Sequence, residues 1–146
     1  MNIDQFIANL QTLQNSINIV APHPTSVKRS YWGAPSAAIS DMPAFINTLS
    51  DTERALGMGT RMEGRVRVTV QLLVARATTE DERSSRLATS LWFAAKQAFD
   101  NDRTIGGTVL FSTLQGASTT VPVLLQHGGQ AYIGFDAYLD AMVITQ

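Results

Sequence analysis

Between Arg65 and Val74 the chain reads RVRVTVQLLV, with Val66, Val68, Val70, Leu72 and Val74 alternating with Arg65, Arg67, Thr69 and Gln71. Successive side chains of a strand point to opposite faces, so this run has one apolar face and one polar face. A strand of this kind commits the chain to a sheet buried on one side. The polar side is then either wet or covered by another protein chain.

A second alternating run closes the sequence. From Tyr132 to Thr145, residues Ile133, Phe135, Ala137, Leu139, Ala141 and Val143 share one parity, and Asp136, Tyr138 and Asp140 share the other. Gly128-Gly129 marks the turn before it. Thr108 to Leu114 and Thr119 to Leu125 read as further strands, and Ala44 to Leu49 as another, with Pro43 at its start or on an edge because proline cannot donate to a ladder.

Two segments carry helical spacing instead. In Asn2 to Asn18 the apolar residues Ile3, Phe6, Ile7, Leu10, Leu13 and Ile17 recur by threes and fours, with Asn2 or Asp4 able to cap the start. Thr78 to Asp100 forms a second helix, with Thr79 and Glu82 in capping-box spacing and Asp81 favouring its positive end. Leu87, Leu91, Ala95 and Ala98 make its stripe, widened by Trp92 and Phe99, a pattern that belongs to a core.

Residues 22–43 form a Pro-rich connector with no period, in which Lys28, Arg29, Tyr31 and Trp32 cluster. Basic and aromatic residues together can grip nucleic acid, but two charges without repetition favour an ordered connector with Trp32 packed on the domain edge. Residues 50–64 carry glycines at 57, 59 and 64 and predict a long mobile loop. The whole implies α+β: a mainly antiparallel sheet of about four strands with two helices packed on one face.

Composition narrows the function. At 146 residues and 45% hydrophobic, residues 1–146 make one domain. A net charge of -1 gives no general attraction to phosphate backbones. The absence of cysteine excludes disulfides, thiolate metal sites and a cysteine nucleophile. The first residues carry an acid and no early basic cluster, and no run approaches a membrane span, so a soluble cytoplasmic protein is expected.

The residues for chemistry do not assemble into a catalytic pattern. His23 and His127 have no ligand spacing, and no Gly-x-Ser-x-Gly elbow occurs. Asp136 and Asp140 would point the same way but lie about 13 Å apart by strand rise, too far for paired glycosidase carboxylates. Ile105-Gly106-Gly107 follows a helix and leads into a strand, the reverse of a phosphate loop, whose glycines feed a helix N-terminus. It reads as a helix-to-strand corner. Neither catalytic residues nor a cofactor or metal site is expected.

The layout resembles the tail terminator (tail completion) proteins of long-tailed bacteriophages. The resemblance rests on the first helix, the strand RVRVTVQLLVAR, the helix ending in DNDRTIGGTV and the final GQAYIGFDAYLDAMVITQ. It covers that helix and most of the chain from about Phe45 onward, and it is least sharp from Pro22 to Ala38. It implies a non-enzymatic minor tail protein that assembles as a homo-oligomeric, usually hexameric ring on the last ring of the tail tube. Such a ring stops tube polymerisation and offers a surface to the head-neck connector. Its partners would be the tail tube protein and a neck protein, with genomic DNA passing through the lumen unbound. It would sit in the host cytoplasm during assembly and then in the virion.

Within that reading, the loop residues Glu53, Arg54, Met58, Arg61, Met62 and Glu63 and the strand residues Arg65 and Arg67 are the candidates for contact with a neighbouring subunit or the tube. Mixed charges set register at a rim, and the methionines supply apolar contact. The alternatives are another head-tail joining ring (neck or head-completion) protein, or a small α+β ligand-binding module that would need a pocket with converging polar groups.

Overall fold

The structure is a computed structural model and describes residues 2–20, 24–35, 37–56, 62–77, 82–116 and 122–145, with the backbone alone for 51–56, 62, 63, 144 and 145. In chain order the elements are α1 (Ile3–Asn15), β1 (Asn18–Ile19), β2 (Thr25–Ser26), β3 (Arg29–Trp32), β4 (Ala44–Leu56) and β5 (Met62–Arg76), followed by α2 (Glu82–Asn101), β6 (Phe111–Gly116), β7 (Val123–His127) and β8 (Gln130–Thr145). The fold is α+β, with two helices and a mostly antiparallel sheet.

The strand number exceeds the four or so expected. Among the described residues a six-stranded sheet runs β3-β4-β5-β8-β6, with β7 also paired to β8, and β1 and β2 form a separate two-stranded ribbon. The extra strands are β1, just after the first helix, and β2 and β3 in the Pro-rich connector. β1, β2 and β3 are two to four residues long and carry no alternating apolar pattern. β3 is held by parallel pairing of Arg29–Trp32 with Ala44–Asn47, a non-local contact that local composition does not encode.

The segment 50–64 is a second correction. Residues through Leu56 continue β4, β5 begins at Met62, and the two pair from Ala44↔Leu73 out to Arg54↔Gly64 and Leu56↔Met62. β5 in turn pairs with β8 as far as Met62↔Thr145. Gly64 therefore sits inside a three-stranded ladder, where main-chain hydrogen bonds on both sides outweigh its poor strand propensity. Only 57–61, which include Met58 and Arg61, lie outside the described residues.

Both helices cover one face of the sheet. Phe6 and Leu10 of α1 and Ala88, Leu91, Trp92, Ala95 and Phe99 of α2 are buried with Val66, Val68, Val70 and Leu72 of β5 and with the odd-numbered residues from Ile133 to Val143 of β8. The helix stripe and both strand alternations thus fall where their periods predict. Trp92 stacks on Phe135 with centroids 5.1 Å apart and planes 3° apart. Asn2 caps α1, its side-chain oxygen accepting from the Gln5 amide at 3.1 Å. The capping positions Thr79 and Asp81 lie outside the described residues.

The sheet is one-sided over only part of its length. Behind its far face a smaller cluster gathers Ile39, Ala44, Ile46, Leu73, Leu125 and Tyr132. The Ile39 amide donates to the Tyr132 hydroxyl at 2.9 Å, so the chain before β4 is tied down over this end. Strand alternation puts Leu73 in this cluster and Val74 in the helix-side core, and the register with β8 shifts between Leu73 and Ala75. Strand β4 begins directly after Pro43, as proline requires.

The turn after α2 is a helix-to-strand corner: Ile105, Gly106 and Gly107 take φ values of 47, 66 and 81°. The Asp102 carboxylate accepts from the Gly106 amide at 3.0 Å. Ile105 is fully buried, so its side chain is anchored in the core while its backbone holds a conformation costly for a β-branched residue.

One buried polar contact joins α1 to the sheet. Gln14 Nε2 donates to Asn47 Oδ1 at 2.6 Å, and Asn47 Nδ2 donates back to Gln14 Oε1 at 2.7 Å and to the Tyr31 carbonyl at 3.0 Å. Both side chains are 0% exposed. Asn47→Leu removes the reciprocal partner and leaves the Gln14 Nε2 group buried and unmet, while Oε1 still accepts from the Ser30 hydroxyl, so unfolding in denaturant should show a loss of about 2 kcal/mol. The paired change Gln14→Leu with Asn47→Leu should recover part of it.

Candidate functional site

The helix-free face of the sheet carries the chain's polar residues in rows set by strand register. One row reads Asp51, Arg67, Asp140 and Thr113 across β4, β5, β8 and β6, and the next reads Glu53, Arg65, Met142 and Phe111. On the other side of the first row lie Thr48, Thr69, Tyr138 and Gln115. Period-two alternation aims the residues of β5, β8 and β6 in these rows, and Thr48, away from the helices.

At the centre Arg67 grips Asp140. Nε donates to Oδ1 at 2.7 Å and Nη2 to Oδ2 at 3.1 Å, the two-pronged geometry that makes arginine-carboxylate pairs strong. The guanidinium carbon also lies 4.9 Å from the centroid of the Tyr138 ring. The Asp140 side chain is only 9% exposed and that of Arg67 38%, so the charges are partly withdrawn from water and cancel in place. Of the two strand arginines expected at an interface, Arg67 is thus matched within its own chain, and Arg65 is exposed.

Glu53 and Arg54 lie on β4 and Met62 and Glu63 on β5, with Glu53 opposite Arg65 and Arg54 opposite Gly64. The four described candidates from 53 to 63 therefore lie on paired strands, Arg65 and Arg67 lie further along β5, and Met58 and Arg61 lie outside the described residues. Sequence reasoning missed Asp140 and Tyr138 as partners of Arg67. The signal was present in the two alternations, but register alone brings them together.

Toward the covered end, His127 Nε2 and Gln71 Oε1 lie 2.6 Å apart. The amide oxygen accepts, so the ring is held with its proton on Nε2. Desolvation by burial lowers the His127 pKa. Beside Gln71 in register, Asp136 has one sheltered carboxylate oxygen with no hydrogen-bond partner among the described residues.

The basic-aromatic cluster of the connector is ordered. Trp32 packs against the core, and Arg29 lies over the Tyr31 ring at 4.9 Å and 3.8 Å from Asp41. A groove of about 270 Å³ lies between the β1-β2 ribbon and α2, lined by Ile19, Thr25, Arg83, Leu87 and Ser90 among others. Glu82 and Arg86 on its wall pair with each other at 2.7 Å with both side chains well exposed. Among the described residues no group of three or more His, Cys, Asp or Glu side chains could hold a metal ion, and no helix is long and apolar enough to cross a membrane.

Arg67→Ala strands the nearly buried Asp140 carboxylate and should cost about 2 kcal/mol in denaturant unfolding, whereas Asp140→Asn in the Arg67→Ala background should restore part of it. The lowered pKa of His127 also has a definite sign. Between the folded value and the unfolded 6.5, the unfolded chain binds more protons, so stability is full above pH 6.5 and declines as the pH falls through that window. Thermal melts from pH 7.5 downward should show this decline, and His127→Gln should flatten it.

No family model matches the chain, and no curated protein matches it significantly.

Proposed function

We propose that the chain is a structural ring protein of a long-tailed phage, a tail terminator that caps the tail tube, stops its polymerisation and presents a surface to the head-neck connector. The observation that carries this reading is the helix-free face of the sheet: a broad polar wall whose central charges are matched in place by Arg67 and Asp140. A wall through which DNA slides must not hold phosphate, and an arginine already engaged by a carboxylate adds little net attraction. The same wall would serve as a lumen lining with the helices outside.

The layout quoted from the sequence supports the assignment to the terminator class, and the β4-β5 hairpin supplies the reach to a neighbouring subunit or tube ring. In this role Met58 and Arg61, which lie outside the described residues, contact the tube, and Arg65 contributes from the exposed wall. The protein performs no catalysis and uses no cofactor.

Negative-stain electron microscopy of the purified protein across a concentration series, with light scattering on the same samples, tests the proposal. Closed rings of uniform diameter, about six subunits each, are expected, and added to assembling tail tube protein they should shorten the tubes. Monomers at every concentration, together with tubes of unchanged length, would refute it.

A further inference from the structure

Among the described residues each side of the sheet ends in an open edge. On one side β3 pairs only with Ala44–Asn47, and the Gly33 amide makes the last bond to the Asn47 carbonyl at 2.7 Å. Beyond that point no described strand flanks β4, and burial changes at the same residue: Ala44 to Asn47 are buried, while Thr48, Leu49 and Ser50 are exposed. On the other side β6 pairs with β8 through Phe111↔Met142 to Gly116↔Ala137, and its outer edge has no described strand. Open edges are templates for further strand pairing.

The two edges match in level and direction. Following the register across the sheet, Thr48 lies level with Gln115, Leu49 with Leu114, Asp51 with Thr113 and Glu53 with Phe111. β4 is antiparallel to β5, β5 to β8 and β8 to β6, so β4 and β6 run in opposite directions. A second copy placed beside the first could then set its β4 against the first copy's β6 as an ordinary antiparallel pair with no slide along the strands. Facing is preserved as well, because Leu49 and Leu114 both lie on the helix side. Leu49 is 45% exposed in the single chain, and Leu110, Phe111 and Met142 are exposed beside the other edge.

We propose that copies of this chain join through these edges, Thr48–Glu53 of one pairing antiparallel with Phe111–Gln115 of the next, so that one sheet continues from subunit to subunit. The contact is head-to-tail, the type that closes into rings when the rotation permits and otherwise runs on as filaments. Because the edges are level, successive copies gain no slide along the strands, and closure into a ring rather than a filament is what the ring reading adds. The proposal rests on the ring reading only for this closure; the pairing of edges stands on the register alone.

The chain has no cysteine, which makes a cross-linking test clean. In the variant Thr48→Cys with Gln115→Cys, the two thiols of one chain are three strand spacings apart, about 14 Å, beyond the reach of a disulfide. Across the proposed contact they are neighbours. Mild oxidation should convert the double variant into a ladder of covalent multimers on non-reducing gels, while each single variant, with no thiol opposite its own across the contact, should stay monomeric. Leu49→Lys in the double-cysteine background puts a charge on the edge and should reduce the ladder about tenfold with an unchanged circular dichroism melt.

The outcomes separate the two ideas. Rings that form without the cross-link would overturn edge pairing and leave the ring reading intact. A ladder from open filaments that never close would uphold edge pairing and overturn the ring. Folded double variant that stays monomeric on the gel at concentrations where scattering reports multimers would sink the pairing.

Discussion

Everything else in the molecule hangs on the antiparallel ladder between β5 and β8, which runs from Met62↔Thr145 to Arg76↔Tyr132. It joins two strands that alternate in phase, so their apolar sets meet on one face and supply the floor for both helices. Buried aromatic and aliphatic side chains contribute about 1.5–3 kcal/mol each, and Trp92 against Phe135 belongs to this floor. The ladder also forces close contact. A Cβ on Gly134 would lie 1.7 Å from the Leu72 carbonyl oxygen, so the backbone near the bulge tolerates no side chain there.

The same ladder creates the polar wall. Once the valines and leucines turn to the helices, Arg67, Thr69 and Gln71 must turn away, opposite Asp140, Tyr138 and Asp136. Pairing positive with negative across a register position removes most of the charge that either strand would present alone. A face can thus be polar enough to resist collapse and still carry little net charge at its centre.

How much of this could be read from the residues follows from where the information resides. Both helices and the two central strands are written in local periods, and Ile105-Gly106-Gly107 announces its corner by glycine content and position. The short strands of the connector were not legible because Arg29–Trp32 becomes a strand only when Ala44–Asn47 lies beside it. Residues 50–64 misled in the opposite sense: Gly64 argued for a loop, and two flanking strands overrode it. For the candidate site, the exposed direction of Arg65 and Arg67 was readable, but Asp140 as the partner of Arg67 depended on a register that spacing does not specify. The buried Gln14-Asn47 pair carried no signal, since each residue alone looks like a surface amide.

Strand β8 is the last of the sheet's strands to leave the ribosome, yet it takes the central position between β5 on one side and β6 and β7 on the other. Until it inserts, the β4-β5 hairpin shows an unpaired inner edge beside an uncovered apolar face. Contacts closed over such long stretches of chain form late. During that interval the inner edge is open to a strand from a neighbouring molecule, and a β8 donated in trans would satisfy it as well as the chain's own. Fidelity in making this protein is therefore a kinetic matter, decided by whether a chain recovers its own last strand before a crowded neighbour offers another.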